Sequence, residues 1–202
     1  MKTFKPYYRR FLPHYQIKES IYFVTFCIAG ALPAKIIAEQ SAGREQTLRA
    51  AQQIKNRARL REVIASAKHE YEKALAVQLD KPGPDHCCLA DTALAAIVHS
   101  AILEIKGELF ASCVMPSHVH LVVQTSLNLF EIIGSLKKFT ARKCNILLKR
   151  KGRFWQPESF DRIIRDEEHL CNVVAYIRNN PVKAGLVSSW DQWPWTFVKS
   201  GW

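Results

Sequence analysis

The chain has 202 residues, 48% of them apolar and 23% charged, which is the balance of a globular protein with a real core and excludes a disordered one. Lys and Arg total 29 against 18 Asp and Glu, a formal charge of +11 with a pI near 9.5. That surplus selects a polyanionic partner, nucleic acid or an acidic membrane face, and names no reaction.

The N-terminus, from Met1 to Pro6, carries basic residues with no apolar run behind them, so no secretory leader is expected. Ser20 to Ile28 is β-branched and aromatic, the composition of a buried strand. From about Ala34 to Lys81 the chain is rich in Ala, Glu, Lys, Arg and Gln and reads as a helical insertion, closed by the turn Lys81-Pro82-Gly83-Pro84-Asp85. Asp91 to Lys106 resumes as a helix with Asp91 as its N-cap. Leu109 to Val114 and His118 to Thr125 are apolar runs around Met115-Pro116-Ser117, the pattern of a hairpin. Asn128 opens a further helix, with Glu131 placed for a capping box, that should run until Gly152. Phe160 to Arg165 is a short strand, and Glu167 to Asn179 a last helix that should end before Pro181. The aromatic tail, Trp190 to Trp202, is expected to pack on the body. This is the α+β, ferredoxin-like (RRM-like) order β-α-β-β-α-β with an antiparallel sheet and an extra C-terminal helix, in a single domain over 1–202 with an insertion at about 34–81. No apolar run approaches the roughly 20 residues of a spanning helix. The six cysteines include no Cys-x-x-Cys pair, pointing to reduced thiols, a cytoplasmic setting and no zinc site built from them.

Three signals carry chemistry. His118-Val119-His120 on a strand places two imidazoles on one face and Val119 on the other, so both rings can reach one divalent ion. Taken alone, the same spacing also suits two hydrogen-bonded structural histidines. Tyr176 and Asn180, four residues apart, share a helical face and can present a nucleophile beside a carboxamide oxygen. Finally, Lys137, Lys138, Arg142, Lys143, Lys149, Arg150, Lys151 and Arg153 occupy one stretch without an acidic residue, and Phe154 and Trp155 follow at its end. Charge for phosphates and rings for bases is how single strands are gripped.

Blocks of sequence extend these signals. Val114 to Ser117, His118-Val119-His120 and Leu121 to Val123 resemble the histidine-hydrophobic-histidine motif of single-tyrosine transposases. Phe154 to Arg162 and Tyr176 to Val187 resemble the REP-associated tyrosine transposases, as do Leu12-Pro13-His14 and Tyr22 to Phe26 nearer the N-terminus. The departure from that pattern is the stretch from Ala34 to Lys106.

The resemblance implies Tyr176 as nucleophile, with His118, His120 and Asn180 as ligands of Mg²⁺ or Mn²⁺. It also implies a substrate of single-stranded DNA hairpins formed by repetitive extragenic palindromes, with a short flanking recognition sequence. Cleavage would pass through a 5′-phosphotyrosine, because storing the phosphodiester on the protein keeps strand joining possible. Lys137, Arg142, Trp155, Arg162 and Lys183 are the expected DNA contacts; Arg162 and Arg165 should face opposite sides, and Arg162 is chosen because it belongs to the block that resembles the family. A monomer is expected, with a dimer as the alternative, and no membrane partner. The competing functions are a non-catalytic single-strand-binding module on the same fold and a histidine–metal hydrolase of small molecules.

Overall fold

The computed structural model describes residues 7–9, 13–15, 19–32 and 86–202, with isolated positions between 38 and 79. Contacts divide the chain into two compact units, Met1–Ala29 with Asp85–Trp202, and Gly30–Pro84. In the smaller unit the described positions from 38 to 79 are helical except Ile54 and Asn56. Asn56 Oδ1 accepts from the Arg59 amide at 3.2 Å. The rest of the expected helical insertion, and the turn from Lys81 to Asp85, lie outside the described residues.

The larger unit opens with a two-stranded ladder, β1 (Tyr7–Arg9) against β2 (Pro13–Tyr15), which the sequence pattern had not suggested. Its main sheet has five strands: β3 (Ser20–Cys27), β4 (Glu108–Val114), β5 (His118–Thr125), β6 (Phe160–Ile163) and β7 (Thr196–Val198). They lie in the order β6-β3-β5-β4-β7 with every neighbour antiparallel. Among the described residues of this unit three α-helices lie between or after them: α1 (Thr92–Leu103), α2 (Leu129–Leu147) and α3 (Glu167–Lys183). From β3 to β6 the succession is β-α-β-β-α-β, as expected, with α3 and β7 added behind it.

Local chemistry sets the boundaries. Asp91 Oδ1 accepts from the Ala93 and Leu94 amides at 2.8 and 3.1 Å, and Asn128 Oδ1 from Phe130 and Glu131 at 3.0 and 3.4 Å, so both helices start on their expected caps. The α2 helix stops at Leu147, before the expected Gly152; Lys149 takes a positive φ of 50° and its amide bonds back to Ile146. The expectation that the last helix ends before Pro181 is wrong. A proline removes only its own N–H, and here the Asn180 carbonyl still accepts from Ala184 at 2.9 Å, so α3 runs on to Lys183. It closes as a Schellman motif, with Gly185 at φ 70° and Leu186 N–H bonded to the Pro181 carbonyl at 2.9 Å. The aromatic tail does more than pack: β7 pairs with β4, and Trp193 Nε1 donates to the Val114 carbonyl at 3.0 Å.

The alternation of strand side chains divides the core in two. On one face Leu170, Val173, Val174 and Ile177 of α3 pack against Phe110, Cys113 and Val122. On the reverse face Phe26 meets the Trp155 ring edge-on at 4.8 Å, and Lys137 of α2 lies over Phe26 at 5.8 Å, so α2 covers that side. All six cysteines are free, and burial pushes the Cys27 and Cys113 thiols up to about 12.

Two glycines separate conformational need from mere tolerance. Gly107 enters β4 with φ 149°, and a Cβ there would meet the Gln124 carbonyl oxygen at 2.4 Å, whereas a Cβ on Gly134 within α2 meets nothing inside 4 Å. Gly107→Ala is expected to destabilise by about 2 kcal/mol or more, and Gly134→Ala to stabilise by about 0.5–1 kcal/mol. Chemical denaturation of both variants checks this, and similar midpoints for the two would contradict the β4–β5 register described.

Candidate active site

His118 and His120 sit at the start of β5, two residues apart and therefore on one face, with Val119 turned into the opposite core. Register with β3 sets Cys27 opposite His118 and Thr25 opposite His120, while β4 sets Cys113 beside His120. Both rings are buried, 1% and 3% exposed, and their Nε2 atoms meet at 3.1 Å. The other nitrogen of each ring is tied to a hydroxyl: His120 Nδ1 to Thr25 Oγ1 at 2.7 Å, His118 Nδ1 to Ser117 Oγ at 2.9 Å. Burial first, then the charges of His118 and Lys183, hold His120 well below the usual imidazole value, so it is a neutral nitrogen donor at ordinary pH.

The tyrosine comes from α3. Tyr176 is half-buried, its ring 5.4 Å from that of His120 at a steep angle. Phe23 completes the cluster, stacked on His120 at 5.5 Å and edge-on to Tyr176 at 6.1 Å. One turn beyond Tyr176, Asn180 is 1% exposed, and neither its Oδ1 nor its Nδ2 is hydrogen-bonded among the described residues. A buried amide without partners costs about 1–3 kcal/mol, which a ligand at that carboxamide would recover. Because α3 continues through Pro181, Asn180 and Lys183 ride on the same rigid helix as Tyr176.

This donor set can hold a cation. Among the described residues no group of three or more His, Cys, Asp or Glu is gathered; besides the two imidazoles, Asn180 offers a carboxamide without a hydrogen-bond partner among the described residues. The two Nε2 atoms, 3.1 Å apart, converge closely enough for one small cation to be held between them.

The expected DNA-contacting residues divide. Arg162, paired with Phe23 across β6 and β3, projects to the imidazole face with its guanidinium 5.5 Å from the Phe23 ring. Lys183 is exposed and close enough for its charge to act on His120. Arg142 is exposed on α2, on the far side of the sheet. Two expectations need correction. Trp155 is no open platform for a base: it is 4% exposed, wedged against Phe26 and Phe154, with Nε1 donating to Thr140 Oγ1 at 2.9 Å. Phe154 is buried as well. Lys137 turns inward, its ammonium donating to the carbonyls of Gln156, Pro157 and Glu158 at 2.7–3.2 Å and to Ser159 Oγ at 3.1 Å. Apolar surface elsewhere in the core claims the rings, and three successive carbonyls outbid solvent for the ammonium.

Three members of the site were given no role from sequence: Phe23, Thr25 and Ser117. Strand periodicity held the signal for two of them, since Phe23 and Thr25 lie two apart and must share a face. Which face that was, only the pairing of β3 with β5 reveals.

A linkage prediction follows for the metal-free protein. Below about pH 6.5 an unfolded His120 takes a proton while the folded ring stays neutral, so the unfolded state binds more protons and stability falls as pH drops. His99, lowered by desolvation, adds in the same direction. Thermal unfolding in EDTA should show Tm declining below that pH, and His120→Gln should flatten the decline; an unchanged slope in the variant would refute the burial of a neutral ring.

Residues 88–180 match the sequence model of the family described as "Transposase IS200 like". A Haemophilus influenzae protein described as a REP-associated tyrosine transposase is 31% identical over 101 residues, 44% of this chain and 57% of that protein, so the match spans little more than half of the relative's length. Among solved structures, a REP-associated tyrosine transposase bound to a REP hairpin superposes with a TM-score of 0.54 over 94% of this chain and 80% of that one, at 19% identity, which establishes the shared fold. Residues 88–180, which include His118, His120, Tyr176 and Asn180, are thus similar to the IS200-like transposases, and the chain shares the fold of a REP-associated tyrosine transposase.

Proposed function

We propose that this protein is a metal-dependent single-strand DNA endonuclease and strand transferase. Its substrate is a hairpin formed by a repetitive extragenic palindrome with a short single-stranded flank, and its reaction passes through a 5′-phosphotyrosine at Tyr176. The observation that carries the reading is the junction of α3 and β5: a phenol ring packed on one of two imidazoles whose Nε2 atoms converge, with an unpartnered carboxamide one turn further on.

In this reading Tyr176 Oη attacks the scissile phosphorus. The new P–Oη bond forms as the bond to the 3′ oxygen breaks; the Oη proton is released to solvent and the departing 3′ oxygen takes one up from solvent, leaving as a 3′-hydroxyl with no net change in protons. A phenol, with pKa about 10, is a weak nucleophile at neutral pH, so the developing charge on phosphorus must be offset. His118, His120 and Asn180 would hold Mg²⁺ or Mn²⁺, which would supply Lewis-acid stabilisation of the charge developing on the phosphate. Phe23 and His120 fix the phenol ring from two sides, which limits its orientations before attack. Arg162 and Lys183 place positive charge around the same face and orient the phosphate backbone. Reversal by an incoming 3′-hydroxyl joins strands, which a hydrolytic route would forfeit. Among the described residues no helix is long and apolar enough to cross a membrane, and a cytoplasmic location fits a chromosomal substrate.

With a labelled hairpin oligonucleotide and Mn²⁺, a denaturant-resistant protein–DNA adduct is expected; EDTA abolishes it, and Tyr176→Phe lowers it by on the order of 10³-fold or more. An adduct formed by the phenylalanine variant would remove Tyr176 from the mechanism. Metal-independent hairpin binding without any adduct would favour the non-catalytic binding module instead. In salt titrations of hairpin binding, Lys183→Ala and Arg162→Ala should each reduce the slope of log K against log[salt] by about 1, while Trp155→Ala should act through stability alone.

A further inference from the structure

Thr25 and Ser117 have no part in the steps above, yet both are buried and each meets the outer nitrogen of one imidazole. The two inner nitrogens lie 3.1 Å apart, which is hydrogen-bond distance. Two lone pairs would repel at that separation, so in the cation-free protein one Nε2 carries hydrogen and the other accepts it. A neutral imidazole has one N–H. The donating ring therefore has a bare Nδ1 that needs a donor, and the accepting ring has an Nδ1–H that needs an acceptor.

A cation changes the requirement. Both Nε2 lone pairs must then point at the ion, so both rings become Nδ1–H tautomers and both outer partners must accept. A carbonyl or carboxylate accepts only and a backbone amide donates only, whereas a hydroxyl does either by rotating its hydrogen. Both outer positions here are hydroxyls.

We propose that Thr25 and Ser117 are positioning residues whose hydroxyls let the histidine pair alternate between an Nε2–H···Nε2 bond without cation and two Nδ1–H rings that present both Nε2 lone pairs to one divalent cation. The exchange is balanced within the site. The hydrogen on one Nε2 is replaced by one on Nδ1 of the same ring, neither ring changes charge, and the hydroxyl hydrogen swings away from the ring it had served. The cation-free site then carries no lone-pair conflict, which makes the ion readily exchangeable instead of fixed. This inference rests on the metal reading proposed above.

Long-range ¹H–¹⁵N correlation spectra of the protein labelled at histidine report tautomers directly. In EDTA, one ring of the pair is expected as Nε2–H and the other as Nδ1–H; saturating Mg²⁺ should turn both to Nδ1–H. In parallel, Mn²⁺ affinity read by electron paramagnetic resonance should fall about 10–100-fold in Thr25→Val and in Ser117→Ala. Thr25→Ser, which restores the hydroxyl, should bind within about threefold of the native protein. Identical tautomers for both rings in EDTA, or native Mn²⁺ affinity in Thr25→Val, would overturn the proposal. Native protein that binds no Mn²⁺ would overturn the metal reading and the exchange with it, whereas Mn²⁺ binding with native affinity in Thr25→Val would overturn the exchange alone, so the two failures are distinguishable.

Discussion

The period of two along β5 is the constraint from which the site follows. It sends Val119, Leu121 and Val123 into one core and His118, His120 and Val122 to the other face, where α3 packs. A slip of one residue against β3 would exchange the two sets, burying both imidazoles among apolar side chains and bringing Val119 to the tyrosine. The antiparallel ladder on both sides of β5 prevents that slip, and the close turn at Met115-Pro116-Ser117, closed by Met115 N–H to the His118 carbonyl at 2.8 Å, fixes the register at the end where the histidines lie. The Nε2–Nε2 approach is thus a product of backbone pairing, with the side chains following from it.

The α3 helix supplies the second half. Its apolar face, Leu170, Val173, Val174 and Ile177, is held by the sheet, and that docking brings Tyr176 against His120. Its continuation through Pro181 matters for chemistry as much as for fold. Had the helix broken there, Asn180 would have lain at a frayed end; instead its backbone bonds to Ala184 and its carboxamide is set rigidly one turn from the phenol. Two residues that had looked like DNA contacts, Lys137 on α2 and Trp155 after it, support the same arrangement from behind. Lys137 gathers the carbonyls of 156–158 and Trp155 is anchored through Thr140, so the segment leading into β6 is fixed, and β6 carries Arg162 to the imidazole face.

Much of this was legible in the sequence because the governing rules are local. β-Branched and aromatic composition identified β3, apolar runs on either side of a proline turn identified β4 and β5, and Asp91 and Asn128 announced their helices as caps do. Period-two and four-residue spacings placed His118 with His120 and Tyr176 with Asn180 on common faces. What could not be read depends on contacts between distant segments. A run of lysines and arginines beside two aromatic rings has the same composition whether the rings stack on bases or fill a core, and only Phe26 and Thr140, far from Trp155 in sequence, decide it. The three-residue β7 lacked the length for a period to register, and it forms because β4 offers it an edge. Proline's effect on α3 was overestimated for a similar reason: helix propensity describes an isolated segment, whereas packing of Ile177 and Pro181 holds this one.

The central claim is that the two Nε2 atoms and the Asn180 carboxamide share one divalent cation beside Tyr176. Anomalous diffraction at the manganese edge from crystals equilibrated with Mn²⁺ tests it most directly. The account requires a single strong peak about 2.1–2.2 Å from both Nε2 atoms and within bonding reach of Asn180 Oδ1. A fully formed imidazole pair with no peak between its nitrogens, or with manganese bound only at carboxylates elsewhere, would contradict it.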